Sequence, residues 1–79
     1  MSSKLIPKQH QKRLEIISTY LRASRFVEGL TQTELSENLN LHRNSLQRAE
    51  NGENITLLSL FEIVDGLDIS PRELFTDIE

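Results

Sequence analysis

Arg43, Asn44, Gln47 and Arg48 stand within six residues of one another. Their side chains share one chemistry. An arginine fork matches the O6 and N7 acceptors of guanine, and asparagine or glutamine can pair bidentately with adenine N6 and N7. Leu46 and Ala49, with Leu41 just before them, recur at i, i+3 spacing and mark the opposite, inward side of a short helix over about residues 43 to 50. No acidic residue falls on the polar side before Glu50. Polar helix faces are most often plain solvated surface. This one combines bidentate amides with cations, which is what direct reading of base edges requires.

Such a helix needs a support that holds it at a fixed angle, and residues 30 to 42 supply one. Thr31 is a suitable N-cap and Glu34 stands at the capping-box position three residues later. Leu35 and Leu39 give the helix that follows a single apolar stripe. Asn38-Leu39-Asn40 breaks it, because asparagine competes for backbone hydrogen bonds and tolerates sharp turns. His42 stands where the second helix begins. Asn51-Gly52 stops that helix, with Gly52 suited to the left-handed C′ position. Free N–H groups at the start of the first helix attract phosphate. Gln32 is placed to add a side-chain hydrogen bond there, with Thr31, Ser45 and Asn51 as further phosphate contacts. For Thr31 the capping role is the better explanation.

The remaining chain reads as scaffold. Residues 1 to 6 are expected to form a flexible arm, and 7 to 79 a single helix-turn-helix domain. Pro7 can open a helix that runs to about Val27, with Leu14, Ile17, Tyr20, Leu21 and Ser24 as its buried stripe. Lys4, Lys8, Lys12 and Arg13 are candidate phosphate contacts, or a solvated basic helix start. Thr56 is expected to cap a helix to about Leu67, with Leu57, Leu60, Ile63, Val64 and Leu67 facing the core. Ser70-Pro71-Arg72-Glu73 supplies cap, N1 proline and capping-box acid for a short last helix anchored by Leu74 and Phe75. The fold class predicted is all-α, with five helices.

Composition narrows function by exclusion. The chain has 79 residues, 37% of them apolar, and no cysteine. Disulfides and cysteine-based metal sites are therefore out, and a reducing compartment is natural. No apolar run approaches the ~18 residues of a membrane span, and no hydrophobic leader opens the chain. A cytoplasmic protein is expected. Two histidines and three isolated glycines assemble neither a catalytic triad nor a phosphate loop, so enzymatic activity is not expected, nor is a cofactor or metal. A separate ligand-binding domain is not expected within these residues, and no small-molecule effector is evident.

The net charge of −3 is unusual for a nucleic-acid binder. Its distribution accounts for much of that. Residues 1 to 48 carry eight Lys/Arg against four acids, and residues 49 to 79 carry one against eight. One part can meet phosphate while the acidic part faces away. Fewer cations release fewer counterions, so non-specific binding is weak and specific contacts must supply more of the affinity.

These motifs together resemble the Cro/phage-repressor, or XRE-type, helix-turn-helix family over residues 21 to 75. The resemblance is carried by Arg25, Gly29-Leu30-Thr31-Gln32-Thr33-Glu34-Leu35, Glu50-Asn51-Gly52 and Ser70-Pro71-Arg72-Glu73-Leu74-Phe75. Within the family, Leu41-His42-Arg43 and Asn54-Ile55-Thr56-Leu57 are similar to the small controller proteins of restriction–modification systems. The resemblance implies an ion pair between Arg25 and Glu50, partly buried between the first helix and the end of the reading helix. It also implies the phosphate role of Gln32, and a His42 that replaces the usual small cap.

A dimeric, sequence-specific regulator of transcription on double-stranded DNA is the resulting expectation, with Arg43, Asn44 and Gln47 on base edges and His42 and Arg48 assisting. One helix of this size reads only a few base pairs, and pairing places two of them about 34 Å apart on a pseudo-palindrome. Ile55, Leu58, Phe61, Phe75 and Ile78 are the apolar residues expected to join the homodimer interface. For Phe75 a place in the monomer's own core is the stronger reading. The rival function is an antitoxin or adaptor whose acidic C-terminal half grips a protein partner.

Overall fold

The computed structural model describes residues 5–39 and 41–78. Lys4, Asn40 and Glu79, which carry expectations about phosphate contact, the turn and the acidic tail, lie outside the described residues, as do residues 1–3 of the expected arm. Among the described residues the chain forms five helices and no strand: α1 Lys8–Val27, α2 Gln32–Leu39, α3 Arg43–Glu50, α4 Leu57–Gly66 and α5 Pro71–Leu74. No helix is long and apolar enough to cross a membrane.

Local chemistry sets each boundary. Thr31 and Glu34 form a reciprocal capping box at the start of α2: the Glu34 N–H donates to Thr31 Oγ1 at 3.1 Å, and the Thr31 N–H to Glu34 Oε1 at 2.9 Å. Thr56 accepts from the Ser59 N–H to begin α4, and Ser70 from the Arg72 N–H to begin α5. At the far end of α3, Gly52 takes φ +78°, a backbone region closed to most side chains. The Glu53 N–H then reaches the Arg48 carbonyl and the Gly52 N–H the Ala49 carbonyl, which satisfies two carbonyls that a helix end leaves open.

The same 6→1 and 5→2 pair closes α4, where the Ile69 N–H bonds the Val64 carbonyl and the Asp68 N–H the Asp65 carbonyl. Here the left-handed position belongs to Asp68, at φ 57°. An L-residue is disfavoured there by roughly 1–2 kcal/mol, and aspartate escapes only part of it. Asp68→Gly is therefore expected to stabilise the fold by about 0.5–1 kcal/mol, read as a rise of a few degrees in Tm. A lowered Tm would show that Asp68 does something else.

The core draws on every helix. Leu21 of α1, Leu35 of α2, Leu46 and Ala49 of α3, and Leu74 of α5 close around Leu60, Ile63 and Val64 of α4 and Leu67 just after it. α3 packs against α1, α2 and α4 together and so is gripped from three sides. Gly66 lets α2 approach α4 closely, since a Cβ there would overlap the Leu39 side chain. Several expectations need correction. Leu57 is 67% exposed and not part of the core, because it lines an open groove beside Leu14, Ile17 and Phe75. Phe75 is 47% exposed, leaving Leu74 as the buried apolar anchor of α5. On α1 the buried line runs through Ser18, Leu21 and Arg25, while Leu14, Ile17, Tyr20 and Ser24 are half-buried beside it.

Glu73 does not close a capping box. Its carboxylate instead accepts from the Tyr20 hydroxyl at 3.0 Å and ties α5 to α1. That hydrogen bond raises the Tyr20 pKa above 10.0. A raised folded value means the tie is intact below pH 10 and is lost as pH climbs through the folded value.

Candidate nucleic-acid interface

α3 starts on a histidine. His42 Nδ1 accepts from the Asn44 N–H at 3.1 Å, filling the N-cap role more often taken by Ser, Thr, Asp or Asn. Accepting at Nδ1 requires that ring nitrogen to be unprotonated. His42 therefore begins the helix with a proper cap. Ahead of it, the Leu41 N–H bonds the Ser36 carbonyl and closes the elbow against α2.

From that start, Leu46, Ala49 and Glu50 turn inward and are buried, while Arg43, Asn44 and Arg48 are exposed and Ser45 and Gln47 half-buried. On a helix, residues four apart are neighbours, so Arg43–Gln47 and Asn44–Arg48 form two parallel columns on the outer face. Among the described residues the side chains of Arg43, Asn44, Ser45 and Gln47 have no hydrogen-bond partner and are open to an incoming ligand.

The inner end of the helix is held by charge. Arg25 meets Glu50 side-on, with Nε to Oε2 at 2.7 Å and Nη2 to Oε1 at 2.9 Å, while its Nη1 donates to the Leu30 carbonyl at 2.8 Å. Glu50 is 1% exposed. Its hydrogen bond raises the Arg25 pKa against the opposing effect of burial. The Arg25 guanidinium also lies 4.8 Å from the centroid of the Phe26 ring.

Two further groups converge on Glu50. Resemblance places Gln32 at a phosphate, yet its Nε2 donates to Glu50 Oε1 at 3.0 Å, so the amide is at least partly committed inside the protein. Arg22 Nη1 donates to the Glu50 main-chain carbonyl at 2.7 Å, capping α3 from outside. Sequence reading misses Arg22 entirely, although it lies three residues before Arg25 and so on the same face of α1. Among the described residues no buried side-chain nitrogen or oxygen lacks a partner.

The other expected contacts are distributed as follows. Thr31 Oγ1 serves the capping box, and its hydroxyl hydrogen remains to be donated. The Asn51 N–H is used on the Gln47 and Arg48 carbonyls, so only its exposed side chain is left for phosphate. Arg48 turns to Glu53 and to the Asn54 carbonyl. Of the apolar residues assigned to a dimer interface, Leu58, Phe61 and Phe75 are exposed, Ile78 is half-buried, and Ile55 is half-buried against the monomer's own core.

A short helix, capped at an elbow, gripped from three sides and showing a row of unpartnered amide and guanidinium groups, defines a helix-turn-helix DNA-binding protein. Comparison with known proteins bears on this directly. The helix-turn-helix family model matches residues 28–74. Solved structures of the restriction–modification controller protein C.Esp1396I match in fold and sequence. The wild-type protein superposes with a TM-score of 0.69 at 33% identity, covering 80% of this chain and 83% of that one. Two of its single-residue mutants give a TM-score of 0.70 at 31% identity over 80% of this chain, and 81% and 85% of theirs. A search of curated protein sequences finds no match. The chain belongs to the XRE-type helix-turn-helix family of DNA-binding transcriptional regulators.

Proposed function

We propose that this protein regulates transcription as a homodimer on a pseudo-palindromic operator, in the manner of a restriction–modification controller. The open Arg43, Asn44 and Gln47 face of α3 carries the reading. Arg43 takes a guanine edge and the two amides take adenine edges, since those are the bidentate partners each side chain fits. Ser45 and Asn51 flank them with hydroxyl and amide groups for phosphate, which fixes register without reading sequence. The likeness to the controller C.Esp1396I supports the narrower assignment.

The C-terminal part supports pairing. Leu57, Leu58, Phe61 and Phe75 are large apolar side chains left exposed on α4 and at the end of α5. Contiguous apolar surface of that kind marks an interaction site. A two-fold partner there would supply a second α3, and paired helices of this class read half-sites one turn of DNA, roughly 34 Å, apart.

Selection from random duplex DNA at moderate salt tests both halves. Enrichment of a two-fold-related site with half-site centres about 10 base pairs apart is expected. Sedimentation should show a dimer that a Leu58→Asp, Phe61→Asp variant dissociates. A folded protein that enriches nothing would overturn the DNA reading in favour of a protein partner, and a parent that sediments as a monomer would remove the dimer.

A further inference from the structure

Arg48 is the one arginine on the reading face that is already held. The turn that ends α3 at Gly52 folds the next residues back over it, with the Glu53 N–H on the Arg48 carbonyl at 3.0 Å. Glu53 Oε1 then accepts from Arg48 Nε at 3.3 Å, and the Asn54 carbonyl accepts from Arg48 Nη2 at 2.9 Å. Arginine carries five N–H donors in a planar fork. These bonds engage Nε and one hydrogen of Nη2. Nη1 and the other hydrogen of Nη2 have no partner among the described residues, so the end of the fork can still donate. An end edge of that shape matches guanine O6 and N7.

Position agrees with this chemistry. Arg48 stands one helical turn after Asn44, on the outer face. Arg43 at the other end of the helix has no such support among the described residues and must be ordered when it binds. The Arg48–Glu53 pair is about half exposed on both sides, at 54% and 52%, so it adds little to folding. Its effect lies in orientation.

We propose that Glu53, with the Asn54 carbonyl, pre-sets Arg48 as an end-on reader of one guanine, which makes Glu53 a positioning residue for base selection. The proposal rests on the DNA-binding reading above. Its sign is opposite to simple electrostatics, because removing an acid beside DNA ordinarily strengthens binding to every sequence.

The test uses the operator selected by the parent protein and its single-base variants. Glu53→Gln is expected to narrow the preference for G·C at one operator position by roughly threefold to tenfold, with Tm little changed. Arg48→Lys, which keeps the charge and loses the fork, should weaken the same position. In an Arg48→Met background Glu53→Gln should change nothing there. Stronger binding of Glu53→Gln to all sequences alike would mean that Glu53 withholds Arg48 from DNA, and would overturn the proposal. So would an unchanged base preference. If the parent selects no operator the DNA reading fails and this proposal falls with it. An operator indifferent to Glu53 strikes the proposal alone.

Discussion

Glu50→Leu is expected to lose about 3–5 kcal/mol of folding stability, and Arg25→Met a similar amount, because each strands a buried charge without its partner. Against the roughly 4–12 kcal/mol typical of a chain of 79 residues, either loss brings the fold near its limit. In a domain of this size it corresponds to a fall in Tm of roughly 12 °C or more. Three side-chain donor contacts reach the Glu50 carboxylate, two from Arg25 and one from Gln32, so a leucine there leaves all of them unmatched in a site from which water is excluded. The Arg25→Met, Glu50→Leu double variant removes both charges at similar volume and should recover much of the loss, as buried ion pairs replaced whole by apolar residues commonly do. Thermal melts of the parent, the two single variants and the double variant decide the matter. Four coincident curves would show that the pair contributes nothing.

The effect extends to DNA binding because of where Glu50 sits. It is the last residue of α3, and Arg25 and Arg22 grip its side chain and main-chain carbonyl from α1. We propose that the angle of α3 against the scaffold is set there. A double variant that melts like the parent but binds an operator more weakly would separate the orienting role of the pair from its role in stability.

Features governed by neighbours in sequence were legible without the structure. The Thr31–Glu34 box, the Gly52 stop and the Thr56 and Ser70 caps each depend on groups within a few residues, and spacing alone identifies them. The periodicity of Leu60, Ile63, Val64 and Leu67 likewise identified the core side of α4. What was not legible turns on competition between distant partners. Glu73 had a local donor within reach by spacing, and Tyr20, 53 residues away, took its carboxylate. Gln32 could face phosphate or Glu50, and only the folded chain brings Glu50 to 3.0 Å. Ser18 and Ser36 are buried with no apolar signal, because each hydroxyl returns a hydrogen bond to the carbonyl three residues earlier and so costs little inside. Leu57 misled in the opposite sense. It fits the helical period, but it lines an open groove beside Leu14, Ile17 and Phe75 while Leu60 in the same turn is buried.

Arg43→Ala is expected to cost about 1–3 kcal/mol in operator affinity and to relax selection at one base position. The residue opens α3 directly after the His42 cap, and the N-terminal residues of a recognition helix are well placed to reach base edges. Its guanidinium has no partner among the described residues, so the substitution leaves nothing in the protein unsatisfied. Alanine is at least as good a helix former as arginine, so Tm should hold and the loss belongs to binding alone. Two outcomes separate the roles an arginine can take here. If Arg43 reads a guanine, the variant loses most against the parent's own site and little against a site changed at that one base pair. Were it a phosphate contact, affinity would fall alike on all sequences and the dependence of log K on log salt would flatten by about 0.9. The His42 cap favours the first outcome, because it fixes the start of α3 and so limits the paths its first side chain can take toward the groove.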